Sequence, residues 1–434
     1  MVKRTDHAFI EKVSISNFKS FRKQEIEFKK FNVIIGPNAA GKSNLVQLFR
    51  FIKDMATNSL DNAINMQGGV EYFRNVNIGN KENFSIKIHL SEVNESRLSA
   101  FGIIIKDCQM EYGFDLKFKS KGSGFTVLND SVVFKGRFER SNPSKKGRNI
   151  RLGEGRLGIT SKDDKMNYDL VGNFKDKEVL IKSIKEKVKK EMSYFRTSLR
   201  SERKLEHGLL LNSFFYNFIA FDFYLALSQI AIYDIDPKLP KSLTAVSDDL
   251  ELDEDGKNLP IILSNILNDK KKRDKLINLA GYLLPTLKDL KIDVFLNKYI
   301  SLEAKEINTK NSFHSYLLSD GTINIISLLI ILYFGRKGLT IIEEPEKNLH
   351  PFLIKRVVAM LKEASTDRQI IITTHSPQVV KYSGVENLFL INRDKEGYSE
   401  VTCPGIKNKE LISSFMKNHL GIEDIYTENL FEAE

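Results

Sequence analysis

The chain has 434 residues, of which 41% are hydrophobic and 28% charged, with a net charge of +10; this balance supports a substantial buried core and excludes global disorder. No apolar run reaches the 18 or so residues of a membrane helix, since the longest, Ile323 to Phe334, is interrupted by Asn324 and Ser327, and the first residues lack the apolar stretch of a signal peptide. Two cysteines, Cys108 and Cys403, with no His close by, exclude a disulfide framework and a zinc site, so the expectation is a soluble, reduced, cytoplasmic protein with no membrane partner.

Phe31 to Ile35 reads as a buried strand and Asn44 to Asp54 as a helix. Between them, Gly36-Pro37-Asn38-Ala39-Ala40-Gly41-Lys42-Ser43 matches G-x-x-x-x-G-K-[ST]. The glycines let backbone N–H groups approach phosphate oxygens. Lys42 supplies a point charge for the β- and γ-phosphates, the Ser43 hydroxyl suits Mg²⁺, and the helix N-terminus adds its partial positive charge. A Gly-rich turn without a ligand is the plain alternative. A strand before the loop and a helix after it argue against that alternative.

Asn83 to Leu128 alternates polar and apolar residues, as in Ser85-Ile86-Lys87-Ile88-His89-Leu90, which predicts antiparallel strands. Lys135 to Arg156 carries eight Lys or Arg against Glu139 and Glu154 and reads as an irregular basic hairpin or loop. Lys177 to about Lys204 reads as a basic amphipathic helix, with Ile181, Ile184, Val188, Met192 and Phe195 at helical spacing. These two basic runs hold the positive charge, so the rest of the chain is slightly acidic. Charge runs are often solvated faces; two in one segment point to a nucleic acid or an acidic partner. Leu209 to Ile232 is apolar and aromatic, Ser247 to Asp255 is an acidic turn, and helices follow to about Leu290.

Further on, Leu318-Ser319-Asp320-Gly321-Thr322 opens an apolar helix running to about Phe334. Its plain reading is a helix cap; its sharper reading is a second phosphate-binding helix start. Gly338 to Glu346 is an apolar β-branched run ending in Glu343-Glu344-Pro345-Glu346, read as a buried parallel strand that delivers carboxylates at its C-terminal edge. Glu343 is assigned to the metal and Glu344 to the attacking water. Gln369 to Thr373 is another buried strand, with His375 at its tip as a γ-phosphate or water contact. Asp394, Glu396 and Glu400 read as a surface hairpin.

In this order the segments resemble the ABC-type P-loop ATPase head of the SMC and RecF group, and more closely the single-chain AAA/ABC-like ATPases of bacterial phage-defence systems: an OLD-like head without its TOPRIM nuclease, or Septu- and PARIS-type ATPase subunits. Gly68 to Asn75, Asp255 to Pro260 and Lys347-Asn348-Leu349-His350-Pro351, at the D-loop place, share in the resemblance. It covers roughly residues 8–120 and 250–425. It implies an α/β fold with a mixed sheet core, an antiparallel β subdomain and an inserted helical, basic subdomain. The corresponding boundaries are an N-terminal lobe 1–130, an insert 131–300 and a C-terminal lobe 301–434. It also implies ATP and Mg²⁺ as cofactors. The nucleotide set would be Gly36 to Ser43 with Asn44, joined by Asn17, Phe18 and Lys19 from an opening strand near the adenine. Ser43, Glu343 and a candidate Q-loop residue, Gln229, would serve the metal. In this family two heads sandwich ATP, so Ser319, Asp320 and Gly321 would act on a neighbour's nucleotide. The partners implied are a second copy, a separate effector protein such as a nuclease, and a nucleic acid on the basic insert.

Two departures stand out. Asp320 lies where an anion is electrostatically awkward unless its side chain caps the helix, and Glu343 stands where Asp is commoner. The 59 residues after His375 are too few for a TOPRIM domain, so no intrinsic nuclease is expected. An ATP-hydrolysing switch, a nucleotide-gated scaffold with negligible hydrolysis, and a RecF- or SMC-like DNA repair ATPase are the readings carried forward. Phosphate release with and without DNA separates them.

Overall fold

Period-two alternation extends well past residue 128. The computed structural model describes residues 8–98, 102–120, 124–141, 149–162, 165–198, 209, 221–335 and 337–403. They fall into two compact units. The first is Met1–Lys29, Ala39–Ile230 and Asn392–Val401; the second is Lys30–Asn38, Ala231–Ile391 and Thr402–Glu434.

The first unit is built on a seven-stranded antiparallel sheet in the order β2-β1-β4-β5-β6-β7-β8. Its strands are β1 (Ile10–Phe18), β2 (Phe21–Glu27), β4 (Phe84–Leu98), β5 (Ile103–Phe118), β6 (Phe125–Arg140), β7 (Ile150–Lys162) and β8 (Lys165–Phe174). Of the two readings of the basic segment 135–156, hairpin or loop, the hairpin is the one that forms: β6 and β7 run into it as paired antiparallel strands, with Lys135 opposite Arg156, so only the expected irregularity is corrected. Phe134 and Phe138 are buried while Lys135 and Arg137 are exposed. The strand period is therefore intact, but Lys, Arg and Gly at the outward positions hide it. Residues 142–148 lie outside the described residues. Position 131 sits inside β6, so the sheet continues across that point.

Against this sheet pack α1 (Lys42–Thr57), α2 (Leu60–Met66) and α3 (Val70–Phe73). Phe18, Phe51, Phe73, Phe84 and Phe114 form one aromatic cluster, with Phe51 and Phe73 centroids 4.8 Å apart at 62° and Phe18 edge-on to Phe73 at 5.3 Å. The basic segment forms α4 (Lys177–Ser198), anchored by buried Leu180 and Ile184. The side chains of Val188, Met192 and Phe195 lie outside the described set. Much of the apolar run from Leu209 does too; its described part includes α5 (Phe221–Ser228), whose Phe223 meets Tyr112 at 5.6 Å.

In the second unit, β3 (Phe31–Ile35), β9 (Ile230–Tyr233), β14 (Leu339–Glu343), β15 (Gln369–Thr373) and β16 (Leu388–Arg393) lie in the order β16-β3-β15-β14-β9. The pairs β14–β15, β15–β3 and β16–β3 are parallel. Continuous burial along β3 and β15 is what a parallel sheet covered on both faces requires. The core is completed by α6 (Leu259–Leu267), α7 (Lys270–Leu283), α8 (Asp320–Tyr333), α9 (Pro351–Ala364) and α10 (Pro377–Ser383). The helical run expected to reach Leu290 stops at Leu283. There β11 (Leu287–Phe295) begins, pairing with β12 (Tyr299–Glu306), which also carries β10 (Thr244–Ala245) and β13 (Phe313–His314). A last strand, β17 (Ser399–Thr402), follows a turn closed by the Asp394 N–H to Tyr398 O bond, as the hairpin reading expects. Among the described residues no helix is long and apolar enough to cross a membrane.

Candidate functional site

Sterics force the chain beyond β3. Gly36 has φ 151°, and a Cβ there would lie 2.2 Å from Ile391 O; Gly41 has φ 125°, with Ser399 Oγ 2.2 Å from its Cβ position. Neither position admits a side chain. Ala39 adopts φ 62°, a left-handed conformation unusual for a residue with a Cβ. Helix α1 then starts at Lys42 with no side-chain cap and no acidic residue in its first turn, so its leading N–H groups and dipole favour an anion. Lys42 is largely buried and Ser43 exposed.

The second half of the loop is held by residues the sequence did not single out. The Arg393 guanidinium donates from Nε and Nη2 to Ala39 O at 3.1 and 3.0 Å. Ser399 Oγ donates to Ala40 O and lies 2.7 Å from Ser20 Oγ, which also accepts from Asn44 Nδ2 at 2.7 Å. No local pattern marks Ser20, Arg393 or Ser399, because their partners are remote in sequence.

The carboxylates sit at the tip of β14, beside the end of its parallel neighbour β15. Glu343 closes β14 and is partly exposed. Glu344 turns the chain with φ 44°, and its N–H donates to Thr373 O at 2.9 Å. Its Oε1 lies 3.8 Å from His375 Nε2, with the two side chains 41% and 38% exposed. β3 ends at the same edge, where Thr374 N–H donates to Ile34 O at 3.0 Å. Thr374 Oγ1 accepts from Ser376 N–H and donates to Glu346 Oε1. Glu346 Oε2 is buried without a hydrogen-bond partner among the described residues, and burial pushes the carboxyl above its ordinary pKa against the opposing Thr374 bond. The sequence reading assigned Glu346 no role; only its tertiary surroundings set it apart from the two carboxylates before it.

At the start of α8, Ser319 is the cap: its Oγ accepts the Thr322 N–H at 3.0 Å. Asp320 does not cap; its Oδ1 receives the Lys241 ammonium at 2.5 Å, which resolves its awkward charge. Gly321 has a steric reason within its own chain, since a Cβ there would meet Asn348 O at 2.6 Å. Asn324 Nδ2 donates to Lys347 O at 2.6 Å, so the 347–348 turn rests on this helix.

The opening-strand residues are committed to structure through their side chains. Asn17, fully buried at φ 52°, donates to Gly79 O and Glu82 O and accepts from Asn75 N–H. The Phe18 ring lies inside the aromatic cluster. Lys19 Nζ donates to Gln67 O at 3.4 Å, and burial lowers its pKa. Gln229 lies between α5 and β9, its N–H donating to Leu225 O. It therefore precedes a strand.

Comparison with known proteins brings three results. The family described as "AAA domain, putative AbiEii toxin, Type IV TA system" matches residues 31–381. The Chromosome partition protein Smc of Methanocaldococcus jannaschii is 46% identical over 44 residues, which are 10% of this chain and 4% of that relative's length. Among solved structures, an Smc head bound to the C-winged helix domain of ScpA aligns with TM-score 0.44 and 15% identity over 91% of this chain and 97% of that one. The SMC head domain from Thermotoga maritima aligns with TM-score 0.36 and 14% identity over 91% and 98%.

Proposed function

The chain belongs to this AbiEii-type AAA-domain family, and from that premise we propose that it is an ATP-binding and hydrolysing switch that closes head-to-head with a second copy and controls a separate effector. The observation that carries the reading is the Glu344–His375 pair, 3.8 Å apart just beyond the ends of adjacent parallel strands, at the edge where β3 enters the phosphate loop. A carboxylate in that position orients water, and an imidazole beside it holds the water or the γ-phosphate. Lys42 and the uncapped N-terminus of α1 receive the phosphates. Ser43 and Glu343 are each assigned to Mg²⁺ because a hydroxyl and a carboxylate are oxygen donors of the kind it takes; the ion would neutralise charge on the transferred phosphoryl group.

For the partner, the chain's own charges favour a protein over a polyanion. A groove of about 990 Å³ on the large sheet is lined by Lys135, Arg137, Arg151 and Lys175, but also by Glu92, Asp107 and Glu154. Arg137 pairs with Asp107, Arg151 with Glu154 and Arg156 with Asp169. Three arginines of the sheet are thus already paired with acidic neighbours. The effector reading extends to a phage-defence subunit, with the effector encoded separately.

Phosphate release tests the core of the proposal. Lys42→Ala should lose nucleotide affinity, whereas Glu344→Gln should bind ATP but scarcely turn it over. Undiminished hydrolysis by Glu344→Gln would defeat the catalytic assignment.

A further inference from the structure

We propose that Lys241 is a positioning residue for ATP-driven pairing of two copies: it cancels the charge of Asp320 and pins the start of α8 in the form that receives a neighbour's nucleotide. This rests on the head-to-head reading of Ser319–Gly321. Lys241 ends a single 3₁₀ turn, Leu239–Lys241. Its ammonium donates to Leu318 O at 2.7 Å and to Asp320 Oδ1 at 2.5 Å. Its own carbonyl accepts from Ser315 Oγ at 2.9 Å, and buried Ser315 meets Ser301 of β12 at 3.3 Å between hydroxyl oxygens. The 3₁₀ turn is therefore fastened to residues 315–320 through both its backbone and its side chain. The lysine side chain is 18% exposed and the aspartate 37%, so the pair lies at the surface without being fully in water.

The chemistry follows from the sign of the charges. A bare carboxylate on the first turn repels an incoming triphosphate across a new interface. With Lys241 bound, that turn offers a neutral pair, the N–H groups of a helix start and the Ser319 hydroxyl. Removing the cation leaves the Asp320 carboxylate without its Lys241 counter-charge at the place where the partner's phosphates would arrive. A partly exposed pair of this kind changes affinity by about fivefold, and a symmetric dimer contains it twice, giving about 25-fold.

The test uses the Glu344→Gln full-length protein as parent, with ATP-dependent dimerisation measured by analytical ultracentrifugation and ATP affinity by fluorescent-nucleotide titration. Adding Lys241→Met should weaken the dimer about 25-fold while leaving the monomer's ATP affinity unchanged. Lys241→Arg should retain the dimer, and Lys241→Met with Asp320→Asn should restore it. Asp320→Asn alone should dimerise at least as tightly as the parent, which keeps the proposal testable if Lys241→Met fails to fold. An unchanged Lys241→Met dimer, no rescue by Asp320→Asn, or a weak Asp320→Asn dimer overturns the proposal while the head-to-head reading stands. A parent that stays monomeric with ATP overturns that reading, and this proposal with it.

Discussion

His375 Nε2 and Glu344 Oε1 lie 3.8 Å apart, and the strands beneath them are tied by the Glu344 N–H to Thr373 O bond. On the proposed function, two groups fastened in this way would act on one water as a unit, so their removal should not be additive. Glu344→Gln should lower single-turnover phosphate release by about 10³-fold, and His375→Ala by about 10². The double variant should be little slower than Glu344→Gln. Fully multiplicative losses would mean that the two residues act in separate steps.

The loop makes a prediction about backbone rather than charge. Gly36 and Ala39 are both in positive-φ conformations, but only Gly36 is crowded by Ile391 O. Gly36→Ala should cost about 3 kcal/mol or more, because backbone must move to admit the methyl group. Ala39→Gly should relieve about 1 kcal/mol of left-handed strain, offset by chain entropy in the unfolded state. Thermal melts with parallel ATP titrations check both. A Gly36→Ala protein that melts and binds like the parent would disprove the steric account.

The legible parts of this chain were those where a local pattern coincides with a tertiary role. β3, β14 and β15 are buried runs rich in Ile and Val, with Asn32 and Thr340 as the polar interruptions, and β14 and β15 lead directly into Glu343-Glu344 and Thr374-His375 at the sheet edge. The regular pairing of β6 and β7 is not legible beyond a choice between irregular hairpin and loop, because Lys135, Arg137, Gly153 and Gly155 mask an alternation that buried Phe134 and Phe138 preserve. Asp320 seemed to want a capping role, yet Ser319 caps and Lys241 supplies the counter-charge from 79 residues away. Lys241, Arg393 and Ser399 share that history: each acts through a contact distant in sequence, which no spacing rule encodes.

Glu346 gives a pH prediction. Its carboxyl has a raised pKa because it is buried, and one oxygen has no partner among the described residues. The unfolded chain ionises this group near its ordinary value of 4.5, whereas the folded chain resists. The associated stability is therefore fully present below about pH 4.5 and is lost as pH rises through the folded pKa. Glu346→Gln keeps an oxygen for the Thr374 hydroxyl but cannot ionise. Its thermal midpoint should fall less than the parent's between pH 4.5 and neutrality. Parallel pH–stability curves for the two proteins would show that Glu346 does not titrate in this range.

Charge on the large sheet decides between the two kinds of partner. A protein that neutralises six to ten phosphates loses about 10³- to 10⁵-fold in DNA affinity between 50 and 200 mM salt. Here Arg137, Arg151 and Arg156 already face Asp107, Glu154 and Asp169, so fewer cations remain to release counterions. Fluorescence anisotropy with a labelled duplex should therefore show a fall of less than about tenfold over that interval, the slope of one or two phosphate contacts. Lys135→Glu combined with Lys175→Glu should leave ATP turnover unchanged, since both residues line the sheet groove and neither belongs to the phosphate loop or the carboxylate edge. A fall of 10³ or more, abolished by that double charge reversal, would make the groove a nucleic-acid surface and displace the protein effector from the proposed function.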